Sequence, residues 1–199
     1  MVRTKLNSTA AATNRKAEIL KEATKIFAEK GYEVASLDEV ANNLGVTKAS
    51  FYYYFRSKND ILREIIGEAV REMKTAVDIG ETKLTSVQKL HELIRILVKN
   101  NTYSQERAKI ITEQTDNLPM RNRETIKRRK KEVDTVLQKI LQDGVSEGIF
   151  DIKDVQIASY AIIGLCGWAY HWYKPDRRLG SEQIAELFID FVDHGYLKR

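Results

Sequence analysis

At 199 residues with 43% hydrophobic residues, the chain holds enough apolar material for a packed core, so disorder is not the default, and enough length for one large domain or two small ones. The 33 Lys and Arg against 28 Asp and Glu leave a net charge of +5, which permits a polyanionic partner without demanding one. The lone Cys166 excludes an intrachain disulfide framework and fits a reducing cytoplasm, and residues 1–16 contain no apolar stretch of a secretory signal. Only Pro119 and Pro175 interrupt the chain, and no short β-branched runs alternate with turns, so an all-α fold of long helices is expected.

Residues 1–13 are polar, small and basic, and read as a loose arm. From Asn14 the apolar residues Ile19, Leu20, Ala23, Ile26 and Phe27 recur at helical spacing, and Gly31 stands where a left-handed residue would close that helix. Ser36 with Glu39 three residues on reads as a capping box that opens a short helix to Leu44. Gly45 turns the chain, and Thr47 caps a further helix that ends near Phe55. Ser57 caps a fourth helix, with Asp60 at its third position and Ile61, Leu62, Ile65, Ile66, Ala69, Val70 and Met73 along its apolar side; Gly80 can end it. Five more helical stretches follow, near 85–100, 103–116, 122–146, 153–173 and 181–195, about nine helices in all. The chain divides near residue 57, into a three-helix head (1–57) and a helical body (58–199). Val155 to Tyr173 is apolar enough to suggest a membrane span, but it is barely long enough and contains Gln156, Ser159 and His171; a buried helix is the better reading.

The segment Leu37 to Arg56 is the most specific. With Leu37 as position 1, Val40, Leu44, Val46, Phe51 and Tyr54 fall at positions 4, 8, 10, 15 and 18, the buried sites of two helices crossing steeply over a short turn. Ala41, at position 5, lies where a larger side chain would hold the helices apart. Gly45, at position 9, lies where the turn needs positive φ. These are the requirements of a helix-turn-helix. Its second helix carries exposed hydroxyls, a lysine and tyrosines, as a helix does that enters a DNA groove.

Residues 15–66, above all GVTKASFYYYFRSKNDIL, resemble the DNA-binding domain of the tetracycline-repressor (TetR) family of one-component regulators. The resemblance rests on Ala23 through Phe27 to Gly31-Tyr32, on the run Phe51 to Phe55, and on Ser57-Lys58 at the start of the fourth helix. It implies DNA contacts at Ser36, Thr47, Lys48, Ala49, Ser50, Tyr52, Tyr53 and Lys58. Their chemistry suits those roles. Thr47 and the amides after it can hold a phosphate, and Lys48 can reach a guanine edge or a phosphate. Ala49 suits a thymine methyl, Ser50 is adaptable, and Tyr52 and Tyr53 can touch a methyl, a sugar or a phosphate. Ser36 and Thr47 also serve simply as caps, Lys58 also reads as a solvated lysine, and Tyr54 and Phe55 belong to the core. Arg3, Lys5, Arg15 and Lys16 can add a basic arm.

In the body, Ala158, Ala161, Gly164, Gly167 and Ala169 lie among large residues of the 153–173 stretch, and Ile184, Leu187, Phe188, Phe191 and Val192 stripe the 181–195 stretch. The resemblance implies that both form a homodimer's four-helix interface, which would give two heads for a two-fold operator; the alternative is that they form only the subunit's own core. Tyr103, Met120, Tyr160, Trp168, His171 and Trp172 are candidates to line an effector cavity. Arg121, Arg123, Lys127, Arg128, Arg129, Lys130 and Lys131 are offset only by Glu124; they form either a solvated face or a cationic rim for a phosphate-bearing ligand such as an acyl-CoA. A planar hydrophobic or cationic drug-like effector is the rival. His91, His171, His194 and Cys166 show no metal-site spacing, and no nucleophile–base pair or Gly-rich phosphate loop suggests an enzyme. The expectation is a repressor whose effector tilts the fourth helix, Lys58 to Ile79, and so changes the separation of two recognition helices.

Overall fold

The computed structural model describes the backbone of residues 2–198 and the side chains of residues 14–198. Over these residues the fold is all-α: α1 (Val2–Lys30), α2 (Leu37–Asn43), α3 (Lys48–Tyr54), α4 (Lys58–Asp78), α5 (Ser86–Tyr103), α6 (Gln105–Glu113), α7 (Met120–Ser146), α8 (Val155–Gly167), α9 (Ala169–Trp172) and α10 (Ser181–Tyr196). Single 3-10 turns occupy Ile79–Glu81 and Thr115–Asn117. An isolated antiparallel bridge joins Phe150 to Leu197. Among the described residues no helix is long and apolar enough to cross a membrane.

Hydroxyl caps set most of the starts. Thr47 Oγ1 accepts from the Ser50 amide at 3.2 Å and Ser57 Oγ from the Asp60 amide at 3.2 Å. Gly31 and Gly45 adopt φ of +85° and +62°, as the two turns of the head require. Ser36 caps α2 through the Asp38 amide, but its expected capping box does not close: Glu39 pairs instead with Lys30 at 2.6 Å. Two other expectations are corrected. Residues 2–13 continue α1 instead of forming an arm, because Ala10 to Ala12 favour helix and no Gly or Pro precedes Gly31. The 153–173 stretch is two helices, broken at Trp168, where the Trp168 carbonyl accepts from His171 three residues on and the last turn tightens.

Two apolar cores form among the described residues. One gathers Ile19, Phe27, Val40, Phe51, Ile61, Leu62 and Ile65 of the head and α4 with Ile110, Ile111 and Ile126 of α6 and α7. The other gathers Leu90, Leu93, Ile94, Leu137, Ile140, Leu141, Ile162, Ile184 and Val192. Each fully buried Leu, Ile or Phe contributes about 1.5–3 kcal/mol. Helix α4 belongs to both: Ile61 to Ala69 lie in the first core, Ala76 in the second, and Met73 packs against each. The first core therefore runs past residue 57 and joins the head to α6 and α7.

Candidate DNA-binding face and effector cavity

The helix-turn-helix packs as its spacing requires. Val40, Ala41 and Phe51 are buried, and Leu37, Leu44, Val46 and Tyr54 are partly buried against the same core. Phe55 is buried too. Ser36, Thr47, Lys48, Ala49, Ser50, Tyr52 and Tyr53 are left exposed. Tyr53, 80% exposed, stands edge-on against Tyr54, and Tyr52 stands edge-on against Phe51, so both rings are braced by core neighbours. Lys48 Nζ reaches Asp38 Oδ2 at 2.8 Å and links the two helices; that hydrogen bond raises the lysine pKa.

Lys58 is engaged differently. Its ammonium donates to the carbonyls of Glu33 (2.9 Å) and Ala35 (3.0 Å) and lies 4.6 Å from the Tyr32 ring centroid. Tyr32 in turn stands edge-on to Phe27. The lysine thus closes the α1–α2 loop, and one of its three N–H donors remains for an outside acceptor. Arg15 pairs with Glu18, while Lys16 pairs with Glu64 and lies over Phe55. Arg3 and Lys5 lie outside the described side chains.

The body contains a cavity of about 570 Å³ between α4, α5, α6, α7 and α8. Ala69, Met73, Leu97, Ala108, Ile111, Val133 and Ile163 supply apolar wall. Of the aromatic candidates, Tyr160 and Trp168 line it; Tyr103, Met120, His171 and Trp172 do not. Tyr103, at the last turn of α5, is 80% exposed and Met120, at the start of α7, 65% exposed. His171 stacks on Trp168 at 4.4 Å, on the side of a polar groove with Tyr170 and Glu113. Trp172 lies edge-on to Phe188 and borders a separate small groove. The break at Trp168 divides these last two from the cavity wall.

Charged groups line the same space. Arg107, side chain 8% exposed, donates to Glu68 at 2.7 Å and also to Glu72, both on α4. Burial raises the Glu72 pKa, and Arg107 opposes that rise. The basic run splits. Lys127 pairs with Asp116 and Arg129 with Glu132, whereas Lys130 and Lys131 border the cavity. Lys130 exposes its stem but folds its ammonium onto the Ile111 carbonyl at 2.8 Å, where desolvation lowers its pKa. Sequence spacing did not single out Arg107 or Glu72. Arg107 falls on the face of α6 that also carries Ala108 and Ile111, and a charge on an apolar face was the available signal. Among the described residues, no group of three His, Cys, Asp or Glu is placed to hold a metal ion.

Residues 19–65 match the model of the bacterial regulatory proteins of the tetR family, and residues 83–196 match the tetracyclin repressor-like C-terminal domain. The chain belongs to the TetR family of DNA-binding transcriptional regulators. It is 30% identical over 193 residues to the HTH-type transcriptional repressor KstR2 of Mycolicibacterium smegmatis, covering 90% of this chain and 89% of that protein. The structure of the ketosteroid transcriptional regulator KstR2 of Mycobacterium tuberculosis has the same fold (TM-score 0.84, 22% identity, 93% and 96% of the two chains). AibR, solved with isovaleryl coenzyme A and operator DNA, is similar at a TM-score of 0.72 and 26% identity over 89% of this chain and 97% of its own.

Proposed function

We propose that this chain is a homodimeric repressor released from a palindromic operator by an acyl-CoA. The cavity carries the reading: an apolar wall fit for an acyl chain is bordered by Lys131, which can meet a phosphate. AibR, similar over most of its length, is a relative seen with an acyl-CoA and operator DNA. The DNA-reading residues are Ser36, Thr47, Lys48, Ala49, Ser50, Tyr52, Tyr53 and Lys58.

A second copy has a place to dock. Ile157, Tyr160, Ala161 and Gly164 share one exposed face of α8, with Trp168 just past its end, beside the exposed Leu187 and Phe191 of α10. Pairing these faces across a two-fold axis gives two heads for two half-sites. An effector in the cavity touches α4 at Ala69, Glu72 and Met73, so its binding bears directly on the helix that carries the head. A coupling of about 1–3 kcal/mol changes operator affinity roughly 5- to 150-fold.

The test is a titration of the operator complex with a series of acyl-CoAs, free CoA and the matching free fatty acids, followed by fluorescence anisotropy. Release by acyl-CoA alone is expected. Release by planar aromatic cations with no response to any acyl-CoA would overturn the effector assignment and leave the DNA-binding role standing.

A further inference from the structure

Arg107 is the most deeply buried charge of the cavity wall, and it faces two carboxylates one turn apart on α4. The two are not equivalent. Glu72 borders the cavity, whereas Glu68 stands outside its lining. Burial pushes the Glu72 carboxyl upward, and Arg107 opposes that rise. One guanidinium therefore serves a pair of carboxylates, and of the two only Glu72 stands where a ligand in the cavity can compete for it.

The same contact joins two helices. Arg107 is on α6, while Glu68 and Glu72 are on the helix whose N-terminal half lies in the core of the DNA-binding head. A plain hydrocarbon chain in the cavity has no charge with which to compete for Arg107. A ligand shifts a conformational balance only through a differential interaction with its two states.

We propose that Arg107 reads a carboxylate on the effector's acyl part, so that the preferred effector is an acyl thioester carrying a second acidic group. That carboxylate takes the guanidinium face now held by Glu72, as a planar fork allows. Glu72 is displaced, Arg107 keeps only Glu68 as its partner on α4, and the polar tie between α4 and α6 is weakened beside their shared apolar packing. The proposal rests on the acyl-CoA reading of the cavity and adds the chemistry at Arg107.

The comparison of hexanoyl-CoA with adipoyl-CoA tests it, since they differ by one terminal carboxylate. Binding is read by calorimetry on the full-length protein, and operator release by anisotropy. Adipoyl-CoA is expected to release the operator at about tenfold lower concentration than hexanoyl-CoA. Glu72→Gln is expected to bind the operator about tenfold more weakly without effector, to bind adipoyl-CoA more tightly, and to lose most of its response. Glu68→Gln is the control and keeps the preference for the carboxylate. Arg107→Lys keeps a charge but loses the fork, and is expected to erase that preference. If both thioesters bind and release equally, or Arg107→Lys still prefers adipoyl-CoA, the carboxylate role is overturned while the acyl-CoA reading survives. If neither thioester binds, both readings fall together.

Discussion

Lys48 and Lys58 open α3 and α4 and are engaged in different ways. Lys48 is 70% exposed and holds one surface partner, Asp38, which solvent and salt weaken. Giving up that partner for a base edge costs little. Lys48→Ala is expected to weaken operator binding about tenfold and leave thermal stability unchanged; a footprint of unaltered strength would remove Lys48 from the reading face. Lys58 closes a loop through two carbonyls, so Lys58→Met is expected to lower stability by about 1–3 kcal/mol. With its remaining donor on a phosphate, as proposed, the salt slope of binding should fall by about 1; thermal melts and a salt series separate the two effects. Gly144 is a different residue-scale case. A Cβ there would lie 2.1 Å from the buried ring of Phe150, whose amide is also bonded to the Gly144 carbonyl. Gly144→Ala is expected to destabilise by about 1–3 kcal/mol despite the better helix propensity of Ala, read by a melt against wild type. Cys166 is buried, and burial pushes its thiol up to about 12. It should resist alkylation at pH 7–9 in the folded protein and react only on unfolding.

At the scale of elements, the legible parts were those that local chemistry decides. Thr47, Ser57 and Gly45 mark their boundaries because a cap or a positive φ is satisfied within three or four residues. Glu39 misled because a partner outside its own helix, Lys30, competes for its carboxylate. The break at Trp168 was hidden because its φ and ψ remain helical, and only the bonding pattern changes. Tyr103, Met120, His171 and Trp172 show why the cavity was only partly readable. Residue type says that a ring is apolar, but only packing says which wall it joins. The Arg107 pairs link residues 39 and 35 positions apart, beyond the reach of any helical period. Helix α4 carries the mechanical prediction. With acyl-CoA bound, crystal structures of the dimer should show α4 tilted and the α3 helices at a changed separation; an identical separation would sink this account of release.

Over the whole molecule, the head and body are joined by a rigid helix that is part of both cores, with Met73 at the overlap. Ile110, Ile111 and Ile126 extend the head's core into the body, and Gln114 donates to the Ala28 carbonyl at the end of α1. Neither part can lose its packing without exposing apolar surface of the other. Heating should therefore melt the helix-turn-helix and the cavity together, with calorimetric and van't Hoff enthalpies in agreement for each folded unit. A compound that occupies the cavity should then raise the melting temperature of the DNA-reading helices it never touches, while loosening their hold on the operator. Greater thermal resistance and weaker DNA binding would be two readouts of one event, and a melt alone could screen for effectors.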